Sequence, residues 1–347
     1  MQFEQLPLGG LLPFLCSDEL HSVLVASPQS ARRASQHSNR QYLLGRHFPR
    51  VLRMKIWNCF LSGLTRGENA APVQQPQQYR CLLRSSSNFH ATITRDAWRT
   101  FQRHPIFVGK SSVGQLALTN VLHAASLRLW DVGYCQGMNF VAASLIMLVQ
   151  HEEMGFEMFI SLLLSHNVAE YYRPSFPRLS VAGFQMDVFV EAFLPGVHCI
   201  LSKYGLTAEY YALQWFLTLY SYDLDCDVVW CVWDVFLSGG WRVMFQIGLA
   251  LLEFAQPDLV ALDYDDILMY LKTFVQDMVI DGQLLLEKAR RFRISNRMVS
   301  AIEAAIVARQ HECTSSVNAS SSNHVLGHAV RLFIATDLDN GDMHWSV

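Results

Sequence analysis

Apolar residues recur at intervals of three and four along most of this chain, which is the spacing of one face of an α-helix. The pattern is clearest at residues 113–125, 184–193, 229–237 and 267–275. Alternating apolar and polar runs bounded by hairpin turns, the pattern typical of strands, do not occur in the sequence. The sequence therefore predicts an all-α fold of about a dozen helices.

Two of the predicted helices are apolar on more than one face, at residues 227–237 and 244–254. A helix that is apolar all round is typical of a position inside a core, surrounded by other helices. The chain is 51% hydrophobic and 16% charged, a composition that excludes a disordered protein and requires a large core. Its longest apolar runs are shorter than the ~18 residues that a membrane span needs. We therefore expect central helices of a packed fold rather than membrane spans.

The charge of the chain excludes some classes of partner, and its cysteines indicate the cellular compartment. The chain has 27 Lys and Arg against 30 Asp and Glu, whereas a protein that binds nucleic acid phosphates needs a clear basic excess. Its eight cysteines are scattered, without a C-x-x-C pair, as is typical of small buried residues in a reducing compartment. The amino terminus does not have the basic region and unbroken apolar stretch of a signal peptide. These features predict a cytoplasmic protein that binds no nucleic acid and contacts a membrane only peripherally or through a partner.

Motifs for an autonomous active site are missing from the sequence. It contains no G-x-S-x-G, G-x-G-x-x-G or H-E-x-x-H pattern. The string from Gly109 to Ser112 resembles the end of a phosphate-binding loop, but His104 occupies the position of the first glycine and no strand precedes it. We predict that the chain has no cofactor and no metal site of its own.

Three short strings carry residues whose spacing has a chemical meaning. They are Arg53–Trp57 (RMKIW), Ile93–Thr100 (ITRDAWRT) and Tyr134–Asn139 (YCQGMN). In the second string Asp96 and Arg99 are three residues apart, so on a helix the carboxylate can hold the guanidinium and restrict where it points. An arginine held in this way is presented to a partner in a defined direction.

Gln136, in the third string, stands directly before an apolar helix predicted to begin near Met138. The N-terminus of a helix presents backbone N–H groups and the positive end of the dipole, which favour phosphate. The helix predicted over residues 113–130 would be ~27 Å long, and residues 102–112 can extend to ~36 Å, so Arg99 and Gln136 can reach one face. Spacing alone leaves two interpretations open: a shared site, or a solvated helix pair with an unrelated glutamine.

The three strings resemble, in the same order, the three signature motifs of the TBC domain, which activates GTP hydrolysis by Rab-type small GTPases: R-x-x-x-W, I-x-x-D-x-x-R and Y-x-Q. The similarity continues upstream from Gly45 and downstream at Trp215 and Trp233, and covers about residues 42–300. It implies an all-α fold of two helical subdomains that meet at a groove.

The resemblance also sets the expected domain organisation. We expect an N-terminal extension with a linker over residues 1–41, and the TBC domain over residues 42–310. Its two subdomains are expected at about residues 42–170 and 171–310, followed by a Ser-rich tail over residues 311–347.

Members of the family insert an arginine and a glutamine, called fingers, into the GTPase, and by motif position these are Arg99 and Gln136. The resemblance implies an activator of a GTP-bound Rab-type GTPase in membrane traffic, with no self-contained reaction. The partner is expected to carry the GTP and the Mg²⁺. The alternative is a Rab-binding scaffold or effector that uses the same groove without accelerating hydrolysis.

The remaining motif residues are expected to support the fingers. Asp96 is expected to position Arg99, whereas Ile93 and Tyr134 are expected to contribute packing. Arg53 and Trp57 are expected to brace the amino-terminal helix against the core.

Two positions depart from the pattern of the family and motivate the alternative. Cys231 stands where the family commonly has arginine, and Gln102 replaces a frequent proline of the second motif. We expect the missing arginine to alter an ion pair beneath the groove or the surface that a GTPase contacts.

Overall fold

The computed structural model describes residues 49–65, 76–109 and 111–313. These residues form fourteen α-helices and two short 3-10 segments, and no strand occurs among them. The helices are α1 (Arg50–Thr65), α2 (Pro76–Arg84), α3 (His90–Arg99), α4 (Val113–Arg128), α5 (Met138–Val149), α6 (Glu152–Leu164), α7 (Pro177–Phe193), α8 (Pro195–Lys203), α9 (Ala212–Thr218), α10 (Cys226–Gly239), α11 (Trp241–Ala261), α12 (Tyr264–Asp277), α13 (Gly282–Arg290) and α14 (Asn296–Cys313). The 3-10 segments are Ser165–Tyr172 and Ala208–Tyr210. The prediction of an all-α fold is confirmed.

Helices α5 and α11 form the centre of the fold. Every residue of α5 is buried, which explains why it shows no single apolar face. By length and composition α11 could cross a membrane, and it is the one such helix in the described ranges. The apolar run at residues 244–254 is itself short, but the helix that contains it extends beyond the run at both ends and has 21 residues. Two thirds of its apolar window, 67%, is buried inside the protein, as in the core helix of a packed fold.

Helix ends follow the local signals in part. The sequence predicts N-caps at Asp227 and Asp263 and a helix stop at Gly239–Gly240. The side chain of Asp263 caps α12 by accepting from the backbone N–H of Asp266, and Gly240, with φ +69°, ends α10. The prediction for Asp227 was wrong, because α10 begins at Cys226 and Asp227 lies in the first turn. A carboxylate there is still favoured by the helix dipole.

The polar stretch over residues 66–80 predicts a loop between helices, and this prediction was wrong in part. Helix α2 begins at Pro76, since proline suits the first turn of a helix.

The apolar pattern over residues 113–125 predicts that Val113 and Leu116 are buried, but in α4 they are 83% and 54% exposed. Gly114 sets this rotation, because a Cβ built there would lie 2.5 Å from the carbonyl oxygen of Ile106. The backbone at Gly114 therefore packs inward, and Val113 and Leu116 point to solvent.

The proposed domain boundaries stay predictions. Residues 1–41 and the tail beyond Cys313 lie outside the described residues, and α14 extends three residues past the expected boundary at 310. The expected division near residue 170 falls inside the 3-10 segment Ser165–Tyr172. One cluster of buried apolar side chains reaches from Trp57 to Ile306, on both sides of that point.

Candidate functional site

Helix α3 presents Arg99 at its last residue. The helix buries Ile93, Asp96 and Ala97 on one face, and it ends where Thr100 becomes extended, with φ −84° and ψ 125°. The Arg99 side chain is 46% exposed, and its Nη2 lies 3.0 Å from Oδ1 of Asp96. The guanidinium is therefore held through Nη2 by an ion pair while part of the side chain remains accessible, as the spacing of three residues indicated.

Asp96 is the centre of a buried polar group, and its side chain is 1% exposed. Its Oδ2 accepts a hydrogen bond of 2.8 Å from the hydroxyl of Tyr134. Burial, and secondarily this hydrogen bond, raise the pKa of Tyr134 far above its ordinary value, so the phenol stays protonated and donates. Tyr134 was expected only to pack, and the structure shows that it also binds the carboxylate that positions Arg99.

Gln136 lies in a tight turn directly before α5, and it is exposed. The turn contains two glycines with positive φ, Gly133 at +69° and Gly137 at +112°. A Cβ at Gly133 would lie 2.5 Å from the ring of Phe89, and one at Gly137 would lie 3.2 Å from the carbonyl oxygen of Leu217. Glycine is therefore required on both sides of Gln136 by backbone conformation and by close approach.

Gly137→Ala is expected to lower the free energy of unfolding by about 1–3 kcal/mol, because alanine rarely adopts this φ and its Cβ would press on Leu217. Urea denaturation measures the change. Gly205→Ala is the matched control: φ is +66° there, but nothing lies within 4 Å of the added Cβ. If Gly137→Ala lowers the free energy of unfolding no more than Gly205→Ala does, the close contact with Leu217 is contradicted.

Two hydrogen bonds between side chains bring the second and third sequence strings together. One joins Tyr134 to Asp96, and the other runs from Nδ2 of Asn139 to Oγ1 of Thr100, at 2.8 Å. The chain therefore returns along α4 and places the two strings side by side, while a functional site shared by Arg99 and Gln136 stays a prediction. No role was predicted for Thr100 or Asn139, although a polar residue in a largely apolar helix was a signal that could have found Asn139.

The first sequence string lies at a different place, where α1 meets α10. The guanidinium of Arg53 binds the carboxylate of Asp234 through Nε and Nη2, at 2.9–3.1 Å, and Nε1 of Trp57 donates to the same carboxylate at 2.7 Å. All three side chains are buried. Burial raises the pKa of Asp234, and the hydrogen bonds from Arg53 and Trp57 oppose that rise. These hydrogen bonds join α1 to α10 in the core, which is the supporting role expected of Arg53 and Trp57.

The two residues that depart from the family pattern, Cys231 and Gln102, lie in different environments. Cys231 is buried in α10, with Sγ 3.8 Å from Nη2 of Arg53, and burial raises the pKa of its thiol. Gln102 is exposed, and its Nε2 donates to the carbonyl oxygen of Trp98 at 3.1 Å. The ion pair between Arg99 and Asp96 forms in the presence of both residues.

The string that resembles a phosphate-binding loop has a local structural role. Ser112 caps α4, with its side chain accepting from the backbone N–H of Gln115. Lys110 lies outside the described residues. Within the described ranges no three His, Cys, Asp or Glu side chains form a group that could hold a metal ion.

Comparison with known proteins defines the family. The model of the Rab-GTPase-TBC domain family matches residues 50–260, more than half of the chain. The human protein named ecotropic viral integration site 5 protein homolog is 28% identical over 263 residues, which are 75% of this chain and 31% of that protein. The Caenorhabditis elegans Rab GTPase-activating protein tbc-11 is 29% identical over 261 residues, 74% of this chain and 27% of that protein. The chain thus spans about three tenths of the length of these curated relatives.

Solved structures give the same fold. The Ypt/Rab-GAP domain of Gyp1p aligns with a TM-score of 0.61 at 16% identity, covering 79% of this chain and 96% of that domain. The three sequence strings lie within or overlap the residues that the family model matches. The chain belongs to the Rab-GTPase-TBC domain family.

Proposed function

We propose that this chain is a GTPase-activating protein for a Rab-type small GTPase in membrane traffic, with Arg99 and Gln136 acting in trans on bound GTP. The observation that carries the proposal is that the chain segments that bear Arg99 and Gln136, both of them accessible, are joined through one buried carboxylate. Asp96 forms an ion pair with Arg99 and accepts a hydrogen bond from Tyr134, which lies two residues before Gln136. The name of the tbc-11 relative, a Rab GTPase-activating protein, supports the same function.

Arginine and glutamine both have side chains that suit the chemistry of GTP hydrolysis. Negative charge builds on the phosphoryl oxygens in the transition state, and an arginine supplied in trans accelerates hydrolysis by about 10³–10⁵-fold. The carboxylate of Asp96 restrains Arg99 through Nη2, so that less conformational entropy is lost when the guanidinium reaches the phosphate. The amide of Gln136 has a donor and an acceptor, which are the groups needed to orient an attacking water.

The GTPase supplies the GTP, the phosphate-binding loop and the Mg²⁺. The chain is accordingly an activator that contributes catalytic residues to the enzyme of its partner, with no cofactor of its own and no self-contained reaction. Its place of action is cytoplasmic, at endomembranes on which the GTP-bound partner resides.

Phosphate release from a panel of GTP-loaded Rab-type GTPases tests the proposal. We expect at least one of them to hydrolyse GTP about 10³-fold faster or more when the chain is added in catalytic amounts. GTP-loaded small GTPases of other families serve as controls and are expected to be unaffected. Hydrolysis unchanged across the whole panel would contradict the proposal.

The second candidate, a Rab-binding scaffold, is motivated by Cys231 and Gln102. It requires GTP-dependent capture of a Rab protein with no change in the hydrolysis rate. We favour the activator because Cys231 is buried beside Arg53 and the Arg99 ion pair is formed. The panel, combined with a pull-down of the same proteins, separates the two functions.

A further inference from the structure

The residues that directly follow the two proposed fingers bind the same buried side chain, that of Asn139. Thr100 follows Arg99, and its Oγ1 accepts a hydrogen bond of 2.8 Å from Nδ2 of Asn139. Gly137 follows Gln136, and its backbone N–H donates to Oδ1 of Asn139 at 2.9 Å. One amide group therefore spans the gap between the end of α3 and the turn before α5.

The hydrogen bonds around Asn139 determine which way its amide is oriented. The hydroxyl of Thr100 donates its proton to the carbonyl oxygen of Asp96, at 2.6 Å, so only its lone pairs remain for Asn139. A donor must therefore face Thr100, and the acceptor faces the N–H of Gly137. Asn139 is fully buried, so water cannot replace either bond.

We infer that Asn139 is a positioning residue, which fixes the distance between Arg99 and Gln136 by clamping the residue after each of them, with Thr100 as its partner. This inference rests on the proposed function, since it assigns a role to the separation of the two fingers. A turn with two glycines of positive φ has few side chains of its own to hold it, which makes an external clamp necessary. Catalytic groups lose about 100-fold in rate when they are displaced by ~1 Å, so the clamp controls catalysis without touching GTP.

Thr100→Val is the cleanest variant, because it keeps the shape of the side chain and removes the hydroxyl that Asn139 binds. We expect kcat of the stimulated hydrolysis to fall about 10- to 100-fold, with the KM for the GTP-loaded GTPase changed less than about threefold. Thr100→Ser keeps the hydroxyl and is expected to stay within about threefold of the parent in both constants. Asn139→Ala is expected to reproduce the Thr100→Val profile.

Thr119→Val is the matched control, because Thr119 also donates to the carbonyl oxygen four residues earlier, at 2.8 Å, but lies in α4 and has no bond to Asn139. It is expected to leave kcat unchanged. A rise in KM at constant kcat in Thr100→Val, or an equal loss of kcat in Thr119→Val, would overturn the inference.

Amide hydrogen exchange supplies a readout that needs no GTPase. In Thr100→Val and Asn139→Ala we expect the peptide covering residues 134–138 to exchange at least about 10-fold faster, while α10 exchanges as in the parent. Unchanged exchange of residues 134–138 would overturn the inference even if activity falls. If the parent stimulates no Rab-type GTPase, the proposed function fails on the panel, and the exchange rates still decide whether Asn139 holds the turn.

Discussion

Arg99→Ala is expected to lower the stimulated rate of GTP hydrolysis by about 10³-fold or more, with most of the loss in kcat. The guanidinium neutralises charge that exists only in the transition state, so its removal affects the chemical step more than binding of the GTPase. Single-turnover phosphate release, measured with the most responsive GTPase of the panel, checks this result. Gln136→Ala in the same assay tests the second finger.

Arg95→Ala is the matched control for the arginine finger. Arg95 lies on the same helix, its side chain is 74% exposed, and its Nε is 3.9 Å from Oδ1 of Asp96. The variant Arg95→Ala removes the same charge from the same surface. It is expected to change the stimulated rate of GTP hydrolysis by less than about threefold. Full stimulation by Arg99→Ala, or equal losses in the two variants, would contradict the finger assignment.

Arg99→Lys separates catalysis from stability. Arg99→Ala removes the nearer ion-pair partner of the buried carboxylate of Asp96 and leaves only the more distant Arg95, at 3.9 Å, which costs stability as well as activity. Lysine restores a positive charge near Asp96 but has no planar fork to pair with phosphoryl oxygens. We expect Arg99→Lys to unfold at nearly the temperature of the parent and still to lose most of the stimulation.

The overall architecture could be predicted because helical periodicity is a local property of the sequence. The start of α5 at Met138 and the end of α10 near Gly240 depend on a few adjacent residues, and both were predicted correctly. The ion pair between Arg99 and Asp96 is equally local, since three residues separate the partners on one helix. The assignment of these residues as fingers came from the family motifs and stays a prediction.

The rest of the site could not be predicted because it depends on contacts between distant parts of the chain. Thr100 and Asn139 are 39 residues apart and meet only once α4 and α5 have packed. Helix α5 is buried on all sides, so periodicity does not indicate which neighbour Asn139 faces. The exposure of Val113 depends in the same way on the packing of Gly114 against Ile106, which is a tertiary contact.

Buried polar groups serve two separate purposes in this fold. The group around Asp96 and Asn139 joins the segments that bear Arg99 and Gln136, and in the proposed function a small displacement there affects chemistry before it affects stability. The group around Asp234 joins α1 to α10 and presents nothing to a partner, because all its members are buried. Substitutions in the second group should therefore change stability first.

Arg53→Met is expected to lower the free energy of unfolding by about 3–5 kcal/mol, the largest stability effect that we predict. Methionine keeps much of the packing volume, but it leaves the carboxylate of Asp234 buried with only Trp57 as a donor. Chemical denaturation at pH 7 measures the loss. Lys288→Met is the matched control: its ion pair with Glu253, at 2.7 Å, is partly exposed and is expected to contribute less than about 1 kcal/mol.

The double variant Arg53→Met with Asp234→Leu distinguishes an unpaired charge from lost packing. Removing both charges eliminates the desolvation penalty, so the double variant is expected to recover to within about 2 kcal/mol of the parent. The remaining deficit comes from Nε1 of Trp57, which loses its acceptor. A double variant less stable than Arg53→Met alone would contradict this explanation.

The stability deficit of Arg53→Met should also depend on pH, in a direction that the environment of Asp234 determines. Burial already raises the pKa of this carboxyl in the folded protein, and Arg53 opposes the rise, so removing Arg53 raises that pKa further. Between the unfolded pKa of about 3.9 and the higher folded value, the folded variant binds more protons than the unfolded chain. Its stability must then fall as pH increases through this window, and the deficit relative to the parent should be larger at pH 8 than at pH 5. A deficit that stays constant over this range would mean that Arg53 contributes packing rather than charge at the junction of α1 and α10.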